Sequence, residues 1–431
     1  MSGIESDFVM HSPPAPRRRW RTAIRLSIAS AALCLAAAVN APIGAAHGVE
    51  YIAASADSTD FYQAPADQLA GPHGSIIHMR AIDGDPGIPG ARNYMVLYRS
   101  VDMRGETVAV SGTVAVPPGP PPPGGWPLIS WAHGTTGVAD ICAPSRDDSE
   151  AYPAHDYTSL VRSVQAQWVR AGYAVAQTDY QGLGTPGPHG YLIGTAEQRA
   201  VTDMALAARQ IEPEIGTRWV AMGHSQGGQA AIFTDAQAAA WAPELQLLGA
   251  VALAPASHQA VGVRASQFAS SVGAARALSP LTGGSISFLP LVIRGAQTVA
   301  DVEPADFLTA RANAMLPLAD SGCIAQLRGS DEWGGLAADE VFSPTGDIAA
   351  FTGVLAENDP SALTFGQPLL VLQGRADTTV PAVSTDTMVA QHRLAGLPVD
   401  YRTYAGTDHR GVLEASYPDA LTWVNERFAA H

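Results

Sequence analysis

Short apolar runs alternate along the chain with segments of helical periodicity. Strands are predicted at residues 93–100, 106–116, 127–132, 174–179, 219–223, 247–254, 368–374 and 399–405. Helices are predicted at residues 158–171, 196–211, 226–241, 383–394 and 413–429. Repeated alternation of strands and helices is typical of a mainly parallel sheet that is covered by helices on both faces. We therefore predict an α/β fold with a doubly wound sheet.

The alternation stops between residues 256 and 362, where no strand pattern is present and Ala, Leu, Phe and Gly dominate. In open α/β sheets, ligands bind beyond the carboxyl ends of the strands, and insertions of this size usually lie there. We predict a core of residues 47–255 and 363–431, and an inserted, mostly helical cap (lid) of residues 256–362. The alternative is a separate helical domain with no role in a site.

The N-terminal segment has the features of an export signal. Five arginines between residues 17 and 25 precede an uncharged run at 26–39, and small residues Gly44 and Ala46 follow. This order predicts a signal peptide over residues 1–46, cleaved near Ala46. The alternative is a membrane anchor, but the run is shorter than the ~20 residues that a spanning helix needs. We expect a secreted protein.

Loss of Cys34 with this segment leaves Cys142 and Cys323. Two cysteines in an exported chain are expected to pair, because thiols are not kept reduced outside the cytoplasm. Two cysteines without a nearby pair of histidines do not have the spacing of a zinc site.

One turn carries a recognisable chemical motif. Residues 223–228 read Gly-His-Ser-Gln-Gly-Gly and connect a predicted strand to a predicted helix. The pattern G-x-S-x-G in that context is a nucleophile elbow, in which small residues allow a strained turn and Ser225 is presented at the start of a helix. The helix N-terminus then stabilises developing negative charge. The sequence predicts Ser225 as a nucleophile.

A serine nucleophile needs a base and an orienting acid, which in this kind of fold follow in the order Ser, Asp or Glu, His. Asp377 and His409 each follow a predicted strand and are the candidates. Two other acids are alternatives for the acid. Asp386 falls on the following helix, and Asp408 is adjacent to the histidine, where the two side chains rarely face each other.

An oxyanion hole needs two N–H donors. The first is expected from Gln226, the residue after the nucleophile, and the second from the loop after the strand at 127–132. In that loop we favour Thr135 and keep Gly134 as the alternative. The loop could also serve only to shape the turn.

Six sequence segments together resemble the secretory lipase family of α/β-hydrolases, the group around fungal lipase A and the secreted actinobacterial lipases. They are LYRSVDMRGETVAVSGTVAVP, WAHGTTGVADICAPS, TDYQGLG, GHSQGG, GRADTTVP and GTDHRGV. The resemblance implies an α/β-hydrolase fold with a helical lid, secretion, and hydrolysis of acylglycerols or shorter carboxylic esters. It supports Ser225, Asp377 and His409 as a triad, and a Cys142–Cys323 disulfide.

The functional hypothesis is a serine carboxylic-ester hydrolase, a lipase acting on acylglycerols or on medium- and long-chain esters. The alternatives are a short-chain esterase, a serine peptidase on the same fold, and a catalytically silent binding module. The apolar run at residues 288–293 either lines an acyl tunnel, contacts a lipid interface, or forms the core of the insert.

The charge composition limits the classes of partner that the protein is expected to bind. The formal net charge is −15, so Coulomb repulsion opposes binding to nucleic acid and to anionic membrane surfaces. We expect an ester substrate, with no nucleic acid partner, no stable membrane insertion, and neither a metal nor an organic cofactor.

Overall fold

Ten strands form one sheet in the computed structural model, which describes residues 50–51, 60–274 and 286–430. The strands are β1 Glu50–Tyr51, β2 Ile76–Ala81, β3 Arg92–Val101, β4 Thr107–Val116, β5 Trp126–Ala132, β6 Ala174–Thr178, β7 Ile215–His224, β8 Gln246–Leu253, β9 Leu369–Gly374 and β10 Val399–Tyr404. Their order in the sheet is β1-β2-β3-β4-β6-β5-β7-β8-β9-β10.

The half of the sheet from β6 through β10 is parallel, whereas β2, β3, β4 and β6 pair antiparallel. Strands β3 and β4, predicted at 93–100 and 106–116, form a hairpin that is paired from Arg92 opposite Val116 to Val101 opposite Thr107. The predicted doubly wound, mainly parallel sheet is confirmed. Strands β1 and β2 were not predicted. In β2 apolar and polar residues alternate from Ile77 to Ala81, which is a short strand pattern that the prediction missed.

Helices cover both faces of this sheet. They are α1 His155–Arg170, α2 Gly194–Ile211, α3 Gln226–Trp241, α10 Ala382–Leu394, α11 Val412–Ala415 and α12 Tyr417–Ala429. The last predicted helix, at 413–429, is therefore two helices, with a break at Ser416 and a proline in the first turn after it. One hydrophobic core packs around Met204 and Trp219, and a second packs around Trp131 and Trp168 on strands and helices of the other face.

In the described part of the insert, six α-helices are present and strand pairing is limited to isolated bridges. The helices are α4 Gln259–Ser271, α5 Leu289–Gln297, α6 Ala310–Met315, α7 Ile324–Leu327, α8 Ala338–Val341 and α9 Ala349–Glu357. They share a third hydrophobic core that includes Leu291, Phe307 and Trp333. That core continues into residues 191–193 of the segment before α2, so the insert packs directly on the loops at the sheet edge.

Residues Val49–His431 form one compact unit. The predicted signal peptide at 1–46 lies outside the described residues. Within the part of the chain that the structure describes, no helix is both long enough and apolar enough to cross a membrane.

Candidate active site

Ser225 lies on a sharp turn between β7 and α3. Its φ of 59° is in the left-handed region, which is uncommon for a residue with a side chain and often marks a functional site. The turn requires close backbone approach on both sides: a Cβ on Gly223 would lie 2.2 Å from the carbonyl oxygen of Gly227. A Cβ on Gly227 would lie 1.9 Å from the carbonyl oxygen of Ala132. Glycine at these two positions lets the serine project beyond the sheet edge.

The structure brings together three of the residues selected from the sequence. His409 Nε2 lies 2.9 Å from Ser225 Oγ, and His409 Nδ1 lies 2.7 Å from Asp377 Oδ2. This geometry allows the serine hydroxyl to donate to Nε2 while Nδ1–H donates to the carboxylate. Both alternative acids are engaged elsewhere: Asp386 accepts from Arg375 at 2.9 Å, and Asp408 accepts from the amide of Gly411 at 2.7 Å.

The carboxylate of Asp377 is held by several donors besides the histidine. The amides of Thr379 and Val380 each donate to Oδ1 at 2.8 Å, and Gln373 Nε2 donates to Oδ2 at 3.1 Å. Gln373 is itself oriented by Thr385, whose hydroxyl donates to Gln373 Oε1 at 2.7 Å. These hydrogen bonds fix the orientation of the carboxylate towards His409. Gln373 was not selected from the sequence, although a polar residue at the end of an apolar strand is a usable signal.

A second chain of hydrogen bonds connects the loop after β5 with the loop that carries the histidine. The amide of Gly134 donates to Tyr157 Oη at 2.7 Å, and Tyr157 lies 3.0 Å from His224 Nδ1. His224 Nε2 lies 2.8 Å from the carbonyl oxygen of His409. Because a carbonyl only accepts, Nε2 carries the proton and Nδ1 accepts from the tyrosine. Burial and the nearby His409 hold the pKa of His224 well below its usual value, which is consistent with this neutral form.

These contacts also separate the two candidates for the second oxyanion donor. The Gly134 amide is occupied by Tyr157, so it is the less suitable of the two. In the described part of the chain, the amides of Gln226 and Thr135 have no protein acceptor. Gln226 is the first residue of α3, where helix N–H groups are unpaired by geometry. The side chain of Thr135 is fixed by a 2.7 Å hydrogen bond between its hydroxyl and that of Tyr191.

The loop after β6 contacts the loop after β5 and in this way supports the site. Tyr180 is buried, with φ of 71°, and its hydroxyl donates to the carbonyl oxygen of His133 at 2.8 Å. Burial lowers the pKa of His133 to about 4, so its imidazole is neutral. Tyr180 does not line the cavity in front of Ser225. The structure therefore favours a supporting role for this loop over contact with substrate.

An apolar cavity opens in front of Ser225. It encloses about 720 Å³, including the part that is open to solvent. Its walls come from the sheet edge and from the insert. The lining residues are Tyr191, Leu192, Ser225, Ala256, Gln259, Gly262, Val263, Ser266, Ile286, Phe288, Leu289, Val292, Phe342, Thr379 and Val380. None of these carries a charge.

A disulfide joins Cys142, after the loop of Thr135, to Cys323 at the start of α7 in the insert. The attachment extends beyond the sulfur atoms, because the amide of Ile324 donates to the carbonyl oxygen of Thr136 at 2.8 Å. Gly137 and Cys323 also form an isolated β-bridge. The insert is thus fastened to the chain within a few residues of Thr135. In the described residues, no group of three His, Cys, Asp or Glu side chains has the arrangement of a metal site.

Comparison with known proteins shows which family the chain resembles. Residues 158–273, which include the turn at Ser225, match the model of the secretory lipase family. The chain resembles the secretory lipases. Lipase A of Moesziomyces aphidis is 26% identical over 68% of this chain, and the match spans 60% of that protein's length. A protein of Mycobacterium tuberculosis named probable inactive lipase is 23% identical over 78% of this chain and 73% of its own.

Solved structures confirm the α/β-hydrolase fold. Candida antarctica lipase A in its closed state superimposes with a TM-score of 0.69 at 19% identity, covering 86% of this chain and 85% of that one. The rice cell wall degrading esterase LipA from Xanthomonas oryzae gives a TM-score of 0.61 at 18% identity, covering 81% of this chain and 95% of that one. The family model and the two relatives confirm the predicted resemblance to the secretory lipase family, whereas the solved structures support the fold alone.

Proposed function

We propose that the protein is a secreted serine hydrolase of carboxylic esters, of the lipase type, with Ser225, His409 and Asp377 as its triad. The observation that carries the proposal is the unbroken hydrogen-bonded series from Ser225 Oγ through His409 to Asp377, at 2.9 and 2.7 Å. One relative is named a probable inactive lipase, so the proposal depends on these side chains of the chain itself.

In the proposed reaction, Ser225 Oγ attacks the ester carbonyl carbon while His409 Nε2 takes the hydroxyl proton. The carbonyl π electrons move to oxygen, and that oxyanion is stabilised by the amides of Gln226 and Thr135. His409 then protonates the leaving alcohol, and an acyl-enzyme remains. Water, deprotonated by His409, attacks the acyl carbon, and the acid is released when the bond to Ser225 Oγ breaks and His409 returns the proton to Oγ. Asp377 keeps Nδ1 protonated and stabilises the imidazolium throughout.

The lining of the cavity favours an apolar acyl group. A peptidase subsite usually offers a charged partner to the amino group or side chain of a peptide, and this lining has no charged residue among the described positions. Each CH₂ of substrate that is buried against apolar walls contributes about 0.8 kcal/mol. We therefore place medium- or long-chain esters ahead of short-chain esters and of peptides. The inserted segment of residues 256–362 acts as the cap of this site.

The test is Ser225→Ala, assayed with nitrophenyl esters from acetate to palmitate, with and without an emulsion, and with a peptide anilide. Activity should fall by roughly 10³-fold or more, because the triad acts as one unit. A fluorophosphonate should label wild-type protein at Ser225 and leave Ser225→Ala unlabelled. Near-wild-type ester hydrolysis by folded Ser225→Ala would refute the proposal, and faster turnover of the anilide would favour the peptidase.

A further inference from the structure

A fully buried carboxyl group lies behind the proposed oxyanion hole. Glu197, in the first turn of α2, is 1% exposed. Its Oε1 accepts two hydrogen bonds, from Gln226 Nε2 at 2.8 Å and from the amide of Leu192 at 2.9 Å. No described residue donates to or accepts from its Oε2. One acceptor atom thus joins the residue after the nucleophile to the segment that precedes α2.

That segment forms a wall of the cavity. Leu192 has a φ of 58°, a strained value for leucine, and both Tyr191 and Leu192 line the space in front of Ser225. Tyr191 bonds the hydroxyl of Thr135 at 2.7 Å, and Gln229 Nε2 donates to the carbonyl oxygen of Leu192 at 3.2 Å. The segment therefore contacts Thr135 directly and is linked to Gln226 through Glu197, and both Glu197 and Gln229 hold its strained position.

The burial of Glu197 is not explained if its only role is to place an acidic side chain near the N-terminus of α2. An exposed glutamate would interact with the helix dipole without burial, whereas burying a carboxyl group costs several kcal/mol unless it is hydrogen-bonded or neutral. Burial raises the pKa of Glu197 to about 8. The facing histidine is also neutral: burial lowers the pKa of His189 to about 4, and its Nε2 lies 3.2 Å from Gln226 Nε2. The cluster of Glu197, His189 and Gln226 is held by directional contacts between neutral side chains, and none of its three members is charged.

We propose that Glu197 is a positioning residue that fixes the oxyanion hole by holding Gln226 and Leu192 through one carboxyl oxygen. The inference rests on the proposed hydrolase function. Catalytic stabilisation by an oxyanion hole depends on donors placed for the oxygen of the tetrahedral intermediate, so small displacements reduce turnover more than substrate binding. The loss should therefore appear in kcat and in the affinity for analogues of the intermediate, with little change in KM.

The matched variants are Glu197→Gln and Glu197→Leu. Glutamine keeps an oxygen that can accept from both Gln226 and Leu192, whereas leucine has a similar size and no acceptor. Because a donor is displaced and not removed, we expect Glu197→Leu to lose about 10- to 100-fold in kcat, less than the loss of a whole donor. Glu197→Gln should stay within a few-fold of wild type. A third variant, Gln226→Met, removes the other partner of the bond while keeping the backbone amide.

The experiment measures kcat, KM and the inhibition constant of an aliphatic trifluoromethyl ketone. Ser225 Oγ adds to the carbonyl carbon of this compound, the proton passes to His409, and the resulting oxyanion occupies the hole. The proposal expects Glu197→Leu to weaken inhibition by the same factor as kcat, with circular dichroism and melting showing a folded protein. If Glu197→Leu does not fold, Gln226→Met must show the same paired loss.

Wild-type kcat and inhibition in a folded Glu197→Leu, or in Gln226→Met where the leucine variant does not fold, would overturn the positioning role. So would equal losses in Glu197→Gln and Glu197→Leu, because the acceptor would then not be the property that matters. Activity of Ser225→Ala, measured in parallel, tests the hydrolase function separately. An inactive Ser225→Ala together with a fully active Glu197→Leu rejects this inference and leaves the proposed function standing.

Discussion

The turn at Ser225 and the cavity that it faces are specified over very different distances in the chain. Gly223, Ser225 and Gly227 lie within five consecutive residues, so the motif that defines the turn occupies one short stretch of sequence. The cavity walls come from residues as far apart as Tyr191 and Val380. The turn that presents the nucleophile is thus recognisable from a short motif, whereas the shape of the cavity depends on packing between distant segments.

The largest expected effect tests the triad that completes the turn at Ser225. Asp377→Asn should lower kcat by roughly 10³- to 10⁴-fold, because asparagine cannot hold His409 in the tautomer whose Nε2 accepts the serine proton. Asp386→Asn is the matched control: that acid pairs with Arg375 on the surface and should keep activity. Steady-state kinetics on a nitrophenyl ester measure both variants. Comparable losses in the two, or activity retained in Asp377→Asn, would show that the acid was assigned wrongly.

The disulfide joins the segment after the loop of Thr135 to the insert, and the next prediction tests that link. The double variant Cys142→Ser/Cys323→Ser should lower the free energy of unfolding by roughly 2–5 kcal/mol, because the bond constrains the unfolded chain between the oxyanion loop and the insert. Thermal melting with and without reductant measures the change. Addition of reductant should shift the melting of wild type towards that of the variant. Two free thiols in the native protein, found by mass spectrometry of non-reduced peptides, would contradict the prediction.

The elements near the site show what the sequence could and could not predict. Strand–helix alternation and the elbow motif predicted the sheet and selected Ser225, Asp377 and His409, which the structure brings within hydrogen-bonding distance. The contacts between side chains that support the site were not predicted from the sequence. Tyr157 and His224 are 67 positions apart, and Glu197 and Gln226 are 29 apart. No periodicity or turn signal connects such pairs, because their contact exists only once the sheet has placed their elements side by side.

For the run at residues 288–293, the sequence left open an acyl tunnel, a lipid interface and the core of the insert. Phe288, Leu289 and Val292 line the cavity, with Leu289 and Val292 one helical turn apart on one side of α5. Leu291, on the opposite side of α5, is fully buried in the core of the insert. One short helix thus contributes both to the cavity wall and to the core of the insert.

This division gives the smallest and most discriminating prediction. Leu289→Asp places a charge at the cavity wall, so it should penalise long acyl chains more than short ones, by about 0.8 kcal/mol for each CH₂ that loses an apolar contact. With two or three such groups, palmitate should lose roughly 10- to 60-fold more than butyrate. Leu291→Asp instead buries a charge in a packed core, which destabilises the fold, lowers the melting temperature and reduces activity on every chain length alike.

The measurement is the ratio of kcat/KM for nitrophenyl palmitate to that for nitrophenyl butyrate, combined with thermal melting of each variant. Leu289→Ala serves as the milder control, since it shortens the wall without adding charge and should shift the same ratio by less. An unchanged ratio in Leu289→Asp, with the protein folded, would place the acyl chain elsewhere in the cavity. A changed ratio in folded Leu291→Asp would instead show that the core of the insert moves with the wall, because the two faces of α5 would then not act independently.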